Sequence, residues 1–175
     1  DTPYLVNGGH NSDWPFHAWT QVRGAEVDRP WIEDELEYLE NWAPDPLFDC
    51  IPEDTVKNSR LVRTYAAANR GRQSDEDWDT ARLFLTASNW LRSNANRDKF
   101  FLWVDCFDPH EPWDVPPEFL LKYDKTPGFD GRIDPRSFTT NRNSKDLPDA
   151  ARKRMAACYA AKCSWVDKWL GEFLN

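Results

Sequence analysis

From Phe100 to Phe107 the apolar residues alternate at period two. Phe100, Leu102, Val104 and Cys106 fall on one face, and Phe101, Trp103 and Phe107 on the other. Both faces are apolar except for Asp105, a pattern that predicts a strand covered on both sides. The alternation stops at Asp108-Pro109-His110-Glu111-Pro112-Trp113. Two prolines end any ladder, and His110 lands just past the strand's carboxyl end, where open α/β sheets bind their ligands.

Elsewhere the period lengthens to that of a helix. Ile32, Leu36 and Leu39 predict a short amphipathic helix over 32–41. Val56, Leu61 and Tyr65 predict a longer one over 54–69. Ser74 has the character of an N-cap, and Asp75, Glu76 and Asp77 suit the positive end of a helix dipole. The helix they open runs to about residue 94, with Trp78, Ala81, Phe84, Leu85, Ser88 and Leu91 as its apolar stripe. A helix that feeds directly into a strand at Lys99 is half of an α/β unit. Pro116, Pro117, Pro127, Gly128, Gly131 and Pro135 make 115–148 an irregular excursion with one helical turn near Glu118–Tyr123. A last helix is predicted over 148–174, opened by Pro148, with Ala151, Met155, Cys158, Tyr159, Val166, Trp169, Leu170 and Phe173 as its buried face. Residues 1–31 read as a loop pinned by Trp14, Phe16 and Trp19, with Tyr4-Leu5-Val6 as a possible strand end.

Length and charge narrow the function classes. The chain has 175 residues, about one domain, and no apolar run near the roughly 20 residues of a membrane span. Its 22 Lys and Arg against 30 Asp and Glu give a net charge of −8, which argues against nucleic acid as the main partner. Ten Trp, ten Phe and five Tyr show that a polar chain relies on aromatics to bury area. The four cysteines form no CxxC pair and no zinc-ribbon spacing. The chain opens on Asp1-Thr2-Pro3 with no initiator Met, so it reads as an internal piece, and compartment and oligomeric state stay open.

Several constellations could carry chemistry. His110 with Asp108 and Glu111 could be an imidazole held at a strand end as proton donor or anion ligand, or an inert loop histidine. His10, Asp13, His17 and Asp28 could be metal ligands, but no pair has helical i, i+4 spacing, and loop polar residues are the plainer reading. Arg23 could fork an oxyanion, or pair with Glu26 or Asp28 and fix its own loop. Cys50 lacks a visible base and is followed by Glu53 and Asp54, which would raise a thiol pKa. Trp14, Trp19, Trp31, Trp42 and Trp113 could stack a sugar, or be scattered core anchors. No dinucleotide fingerprint, phosphate-binding loop or GxSxG elbow is present.

Taken together, FFLWVDCFDPHEPWDVPPEFLLKY and YAAKCSWVDKWLGEFL, with Tyr159, Asp167 and Gly171 in place, resemble the sulfatase family of the alkaline-phosphatase superfamily. DTPYLV and GGHNSDWPFHAWTQVRGAEVDRPW are similar to one bacterial and archaeal branch of it. The resemblance implies an α/β fold, a three-layer α/β/α sandwich around a mixed sheet. Residues 1–175 would be the middle portion of one sulfatase-like catalytic domain, truncated at both ends. It also implies metal-dependent hydrolysis of small-molecule or carbohydrate sulfate esters, with a divalent metal, usually calcium, and a formylglycine nucleophile. Both would be supplied by residues outside this chain, so the piece alone should be inactive. Only the family's strand-end histidine carries over, onto His110, as the group that contacts the sulfate and protonates the leaving oxygen. No metal ligand in this chain is implied.

The sequence departs from the family in three places. Cys50-Ile51-Pro52-Glu53-Asp54 lacks the arginine of the nucleophile motif, and the family's lysine and histidine anion contacts align with Thr2 and Tyr4. A phosphodiesterase or phosphonate monoester hydrolase of the same superfamily, and a catalytically dead sulfatase-like binding protein, are the alternatives.

Overall fold

A computed structural model describes residues 15–24, 28, 45–139 and 146–175. Its described helices are α1 (Glu53–Lys57), α2 (Arg60–Ala68), α3 (Asp79–Asn94), α4 (Pro117–Tyr123), α5 (Arg136–Thr139) and α6 (Asp149–Leu174). Short 3-10 turns at Pro46–Phe48 and Asp75–Asp77 complete the set. The helix expected over 32–41 and the strand end at Tyr4-Leu5-Val6 lie outside the described residues.

The α/β expectation is overturned: the described residues are helical and contain no strand and no sheet. Residues 100–107 carry no regular secondary structure: a strand exists only as one side of a ladder, and no described segment supplies the other. The alternation survives as one-sided packing. Val104 and Cys106 pack against the helical core, whereas Phe101 is 74% and Trp103 66% exposed. The cover foreseen for both faces is therefore present on one.

The spine is α6. Its 26 residues extend about 39 Å at 1.5 Å per residue, and α3 and α4 pack along it. The main core gathers Ala81 and Phe84 of α3, Val115, Phe119 and Leu120, and Cys158, Ala161, Trp165 and Trp169 of α6. A smaller cluster joins Phe48 and Ile51 to Leu147 and Ala151 at the start of α6. No described helix is long and apolar enough to cross a membrane.

Most of the expected face of α6 turns inward: Ala151, Cys158 and Trp169 are buried, and Met155, Val166 and Phe173 pack against the core clusters. Ala151, Arg154, Cys158, Ala161, Lys162, Trp165 and Trp169 point inward, while Tyr159 and Leu170 are exposed. Two inward positions hold cations, which hydrophobicity alone assigns to the solvent side. The helix expected over 54–69 is broken in two at Asn58-Ser59. The Ser59 hydroxyl accepts from the Val62 amide at 3.4 Å and starts α2 afresh. Ser74 is the N-cap of the turn that leads into α3, as expected, and the carboxylate of Asp77 completes a capping box with it, accepting from the amides of Gln73 at 2.9 Å and Ser74 at 2.8 Å.

Arg154 fastens the lower part of α6. Its guanidinium pairs with Asp45 at 2.6 Å and with Asp124, which ends α4, and lies over the Phe129 ring. Burial raises the Asp124 carboxyl, but hydrogen bonds from Thr126 and Arg154 outweigh it and hold the group below the usual carboxylate range. A depressed folded value stabilises the fold fully above the unfolded carboxylate value. That contribution is lost as pH falls through the lower folded one. Urea melts between about pH 6 and pH 2 should therefore show Asp124→Asn losing less stability on acidification than the wild type.

Gly131 is held where a side chain has no room. Its φ is +83°, and an added Cβ would lie 2.8 Å from both the Cβ and the carbonyl oxygen of Pro117 at the start of α4. Gly131→Ala should cost about 1–3 kcal/mol in denaturant melts, from overpacking and backbone strain together. Gly128, at φ +81° with open space around it, provides the control for strain alone.

Candidate functional site

The segment Asp108 to Asp114 forms a turn whose Asp108-Pro109 and Glu111-Pro112 bonds are both cis. The His110 amide donates to the Phe107 carbonyl at 3.2 Å, which closes the turn on itself. The imidazole stacks on the Phe107 ring at 4.3 Å between centroids, tilted by 26°. Its Nδ1 lies 2.9 Å from the Glu111 carbonyl oxygen and 3.4 Å from a Glu111 carboxylate oxygen. A carbonyl can only accept, so Nδ1 carries a proton, and Nε2 is the nitrogen that gains or gives one as the ring changes charge. The side chain is 42% exposed, so one edge of the ring meets solvent.

Beneath this exposed tip the turn stands on buried charge. Lys162 of α6 sends its ammonium to the Asp108 carboxylate at 2.9 Å and to the Asp114 carbonyl at 3.1 Å. Thr80 of α3 donates to the same Asp108 carboxylate. At the other end, Asp114 accepts from Tyr65 and Arg72, each at 3.0 Å. Arg72 also bonds Asn69 at 2.6 Å, approaches Asp79 at 3.5 Å and lies 3.8 Å from the Trp78 ring centroid. Helices α2, α3 and α6 thus converge on one turn.

Burial pushes the Asp108 carboxyl above its ordinary value, with Lys162 opposing the rise. Burial alone would pull the Lys162 ammonium down, but Asp108 and Asp79 outweigh it and raise its pKa. Nearby Cys106 is pushed up to about 12, chiefly by burial and then by Asp108, and burial does the same to Cys158. Neither thiol is a nucleophile near neutral pH. Asp108 and Glu111, read in the sequence as flanking acids, therefore do different work: one anchors the turn and the other orients the ring.

The other candidates separate. Arg23 forks Asp28 through Nε at 2.9 and 3.0 Å, and Asp28 also accepts from the Gly24 amide at 2.9 Å. That pair fixes its loop, and Asp28 is spent on it. His10 and Asp13 lie outside the described residues, and His17 is exposed. Among the described residues no group of three or more His, Cys, Asp or Glu side chains is placed to hold a metal ion. Cys50 is exposed in a turn and joins no disulfide. Trp113 packs edge-on against Tyr159 at 6.0 Å, and Trp19 lies 6.5 Å from Phe16. Trp14, Trp31 and Trp42 lie outside the described residues.

No protein-family model, no curated protein and no solved structure matches the chain.

The sequence reading missed Thr80, Lys162, Arg72 and Tyr65 as partners of the turn. One signal was present. Lys162 falls between Cys158, Ala161 and Trp165 on the helical stripe, and a lysine inside an apolar stripe must find an acid when buried.

Proposed function

We propose that this chain presents His110 to the leaving-group oxygen of a sulfate ester, within an enzyme of the sulfuric ester hydrolase class. The observation that supports it is the orientation of the imidazole: Nδ1 is held by Glu111, Phe107 backs one face, and an edge meets solvent. When the sulfur–oxygen bond to the alcohol breaks, the departing oxygen gains a negative charge. The proton on Nε2 of the charged ring passes to that oxygen, which leaves as the alcohol, and the ring is left neutral. Before transfer the imidazolium also offsets the growing charge.

The sulfatase likeness places the calcium ligands and the formylglycine nucleophile outside this chain, and the described residues supply neither. There is no three-ligand cluster, and Cys50-Ile51-Pro52-Glu53-Asp54 lacks the required arginine. A second reading, a phosphodiesterase or phosphonate monoester hydrolase, tolerates Thr2 and Tyr4 where the sulfatase likeness would place a lysine and a histidine.

The two readings separate on the sulfate and phosphate esters of one aryl alcohol, the phosphate as a diester, assayed with the protein that carries this chain. Faster turnover of the sulfate supports the first, and faster turnover of the phosphate supports the second. Binding of either without turnover would identify a ligand-binding protein and remove the hydrolase reading.

A further inference from the structure

We infer that Lys162 is a positioning residue for His110, a tie across the base of the 108–114 turn that fixes the ring at its tip. The geometry is specific. One ammonium reaches both ends of the turn, the Asp108 carboxylate at 2.9 Å and the Asp114 carbonyl at 3.1 Å, and His110 stands between those ends. Neighbouring groups complete each end, Thr80 on Asp108, and Tyr65 with Arg72 on the Asp114 carboxylate. Lys162 joins the two sets.

Stability alone gives no reason for a lysine here. A buried ion pair costs several kcal/mol of desolvation per ion, and exchange for apolar or neutral groups of similar shape is often neutral or stabilising. What an apolar side chain cannot do is bond both ends of a turn at once. Two short charge-assisted contacts do that with little slack. The ring position is thus coupled to the packing of α3 against α6, since Thr80 and Lys162 close on Asp108 from those two helices. The inference rests on the proposed function only for the use to which the ring is put, and not for how the ring is held.

The test reads the ring itself and needs no turnover. The chain has three histidines, so His10→Gln and His17→Gln assign the His110 imidazole protons by elimination in the full chain. Stacking on Phe107 should displace them upfield of those of an exposed histidine. The double variant Lys162→Met with Asp108→Asn removes both charges of the pair together, and Arg72 remains beside the buried Asp79. Helical circular dichroism should stay at the wild-type level while the His110 signals move to free-imidazole positions. A folded double variant with unmoved His110 signals would overturn the inference.

If the double variant does not fold, hydrogen exchange on the unmodified chain decides. Protection of the His110 amide comparable to that of the α6 core supports the tie. Free exchange at His110 beside a protected α6 overturns it. A protein that turns over neither ester but passes this test has lost the proposed function and kept the tie.

Discussion

His110→Ala should lower kcat/KM on an alkyl sulfate by about 10²–10⁴-fold, the usual worth of a positioned general acid. That is about 3–5 kcal/mol of transition-state stabilisation at 1.36 kcal/mol per decade. On the sulfate of a nitrophenol the loss should be less than about tenfold, because a phenoxide already stabilised by its ring needs little help from a proton. The contrast between the two esters is the diagnostic feature. Equal losses on both would mean that His110 holds the sulfate or the fold and does not deliver a proton. Glu111→Ala leaves the backbone carbonyl that fixes Nδ1 and removes only the carboxylate at 3.4 Å, so its effect should be much smaller.

Trp165→Ala should cost about 3–5 kcal/mol in chemical denaturation. Trp165 is fully buried at the crossing of α3, α4 and α6, with the rings of Trp78 at 5.7 Å, Phe119 at 5.1 Å and Trp169 at 5.7 Å, all near edge-to-face. Burial of about 200 Å² of aromatic surface at about 25 cal/mol per Å² contributes near 5 kcal/mol, before each ring pair adds its own fraction. Its indole N–H has no acceptor among the described residues, and removing that donor returns part of the loss. The net remains a large share of the 5–15 kcal/mol that holds a typical domain. Trp103→Ala, on a side chain left 66% exposed, should shift stability by no more than about 0.5 kcal/mol. A similar loss at both positions would contradict the core described above.

The helices were legible where local chemistry marks their ends. Pro148 and the acids at Asp75–Asp77 gave the starts of α6 and of the turn into α3, because a missing amide and a cap-accepting carboxylate act within a few residues. Ser59 was as local a signal, and the apolar spacing of Val56, Leu61 and Tyr65 ran across it unheeded. The sheet failed for a different reason. Alternation from Phe100 to Phe107 describes one side of a ladder, and pairing is a property of two segments.

The site shows the same divide. His110 was visible from its prolines and acids, since those are sequence neighbours. Its support was not, because Tyr65, Arg72, Thr80 and Lys162 meet the turn only after α2, α3 and α6 have packed. Lys162 and Arg154 also explain what the expected stripe on α6 left out. Each sits at an inward position that a hydrophobicity pattern assigns to solvent, and each is compensated by acids distant in sequence.

The most direct measurement is to follow the three histidines of the protein while titrating an aryl sulfonate, an ester analogue whose sulfur–carbon bond cannot be hydrolysed. The expected result is a saturable shift of the His110 ring protons with those of His17 unmoved. Unchanged His110 signals at saturating sulfonate would mean that the turn from Asp108 to Asp114 is not where the ester binds.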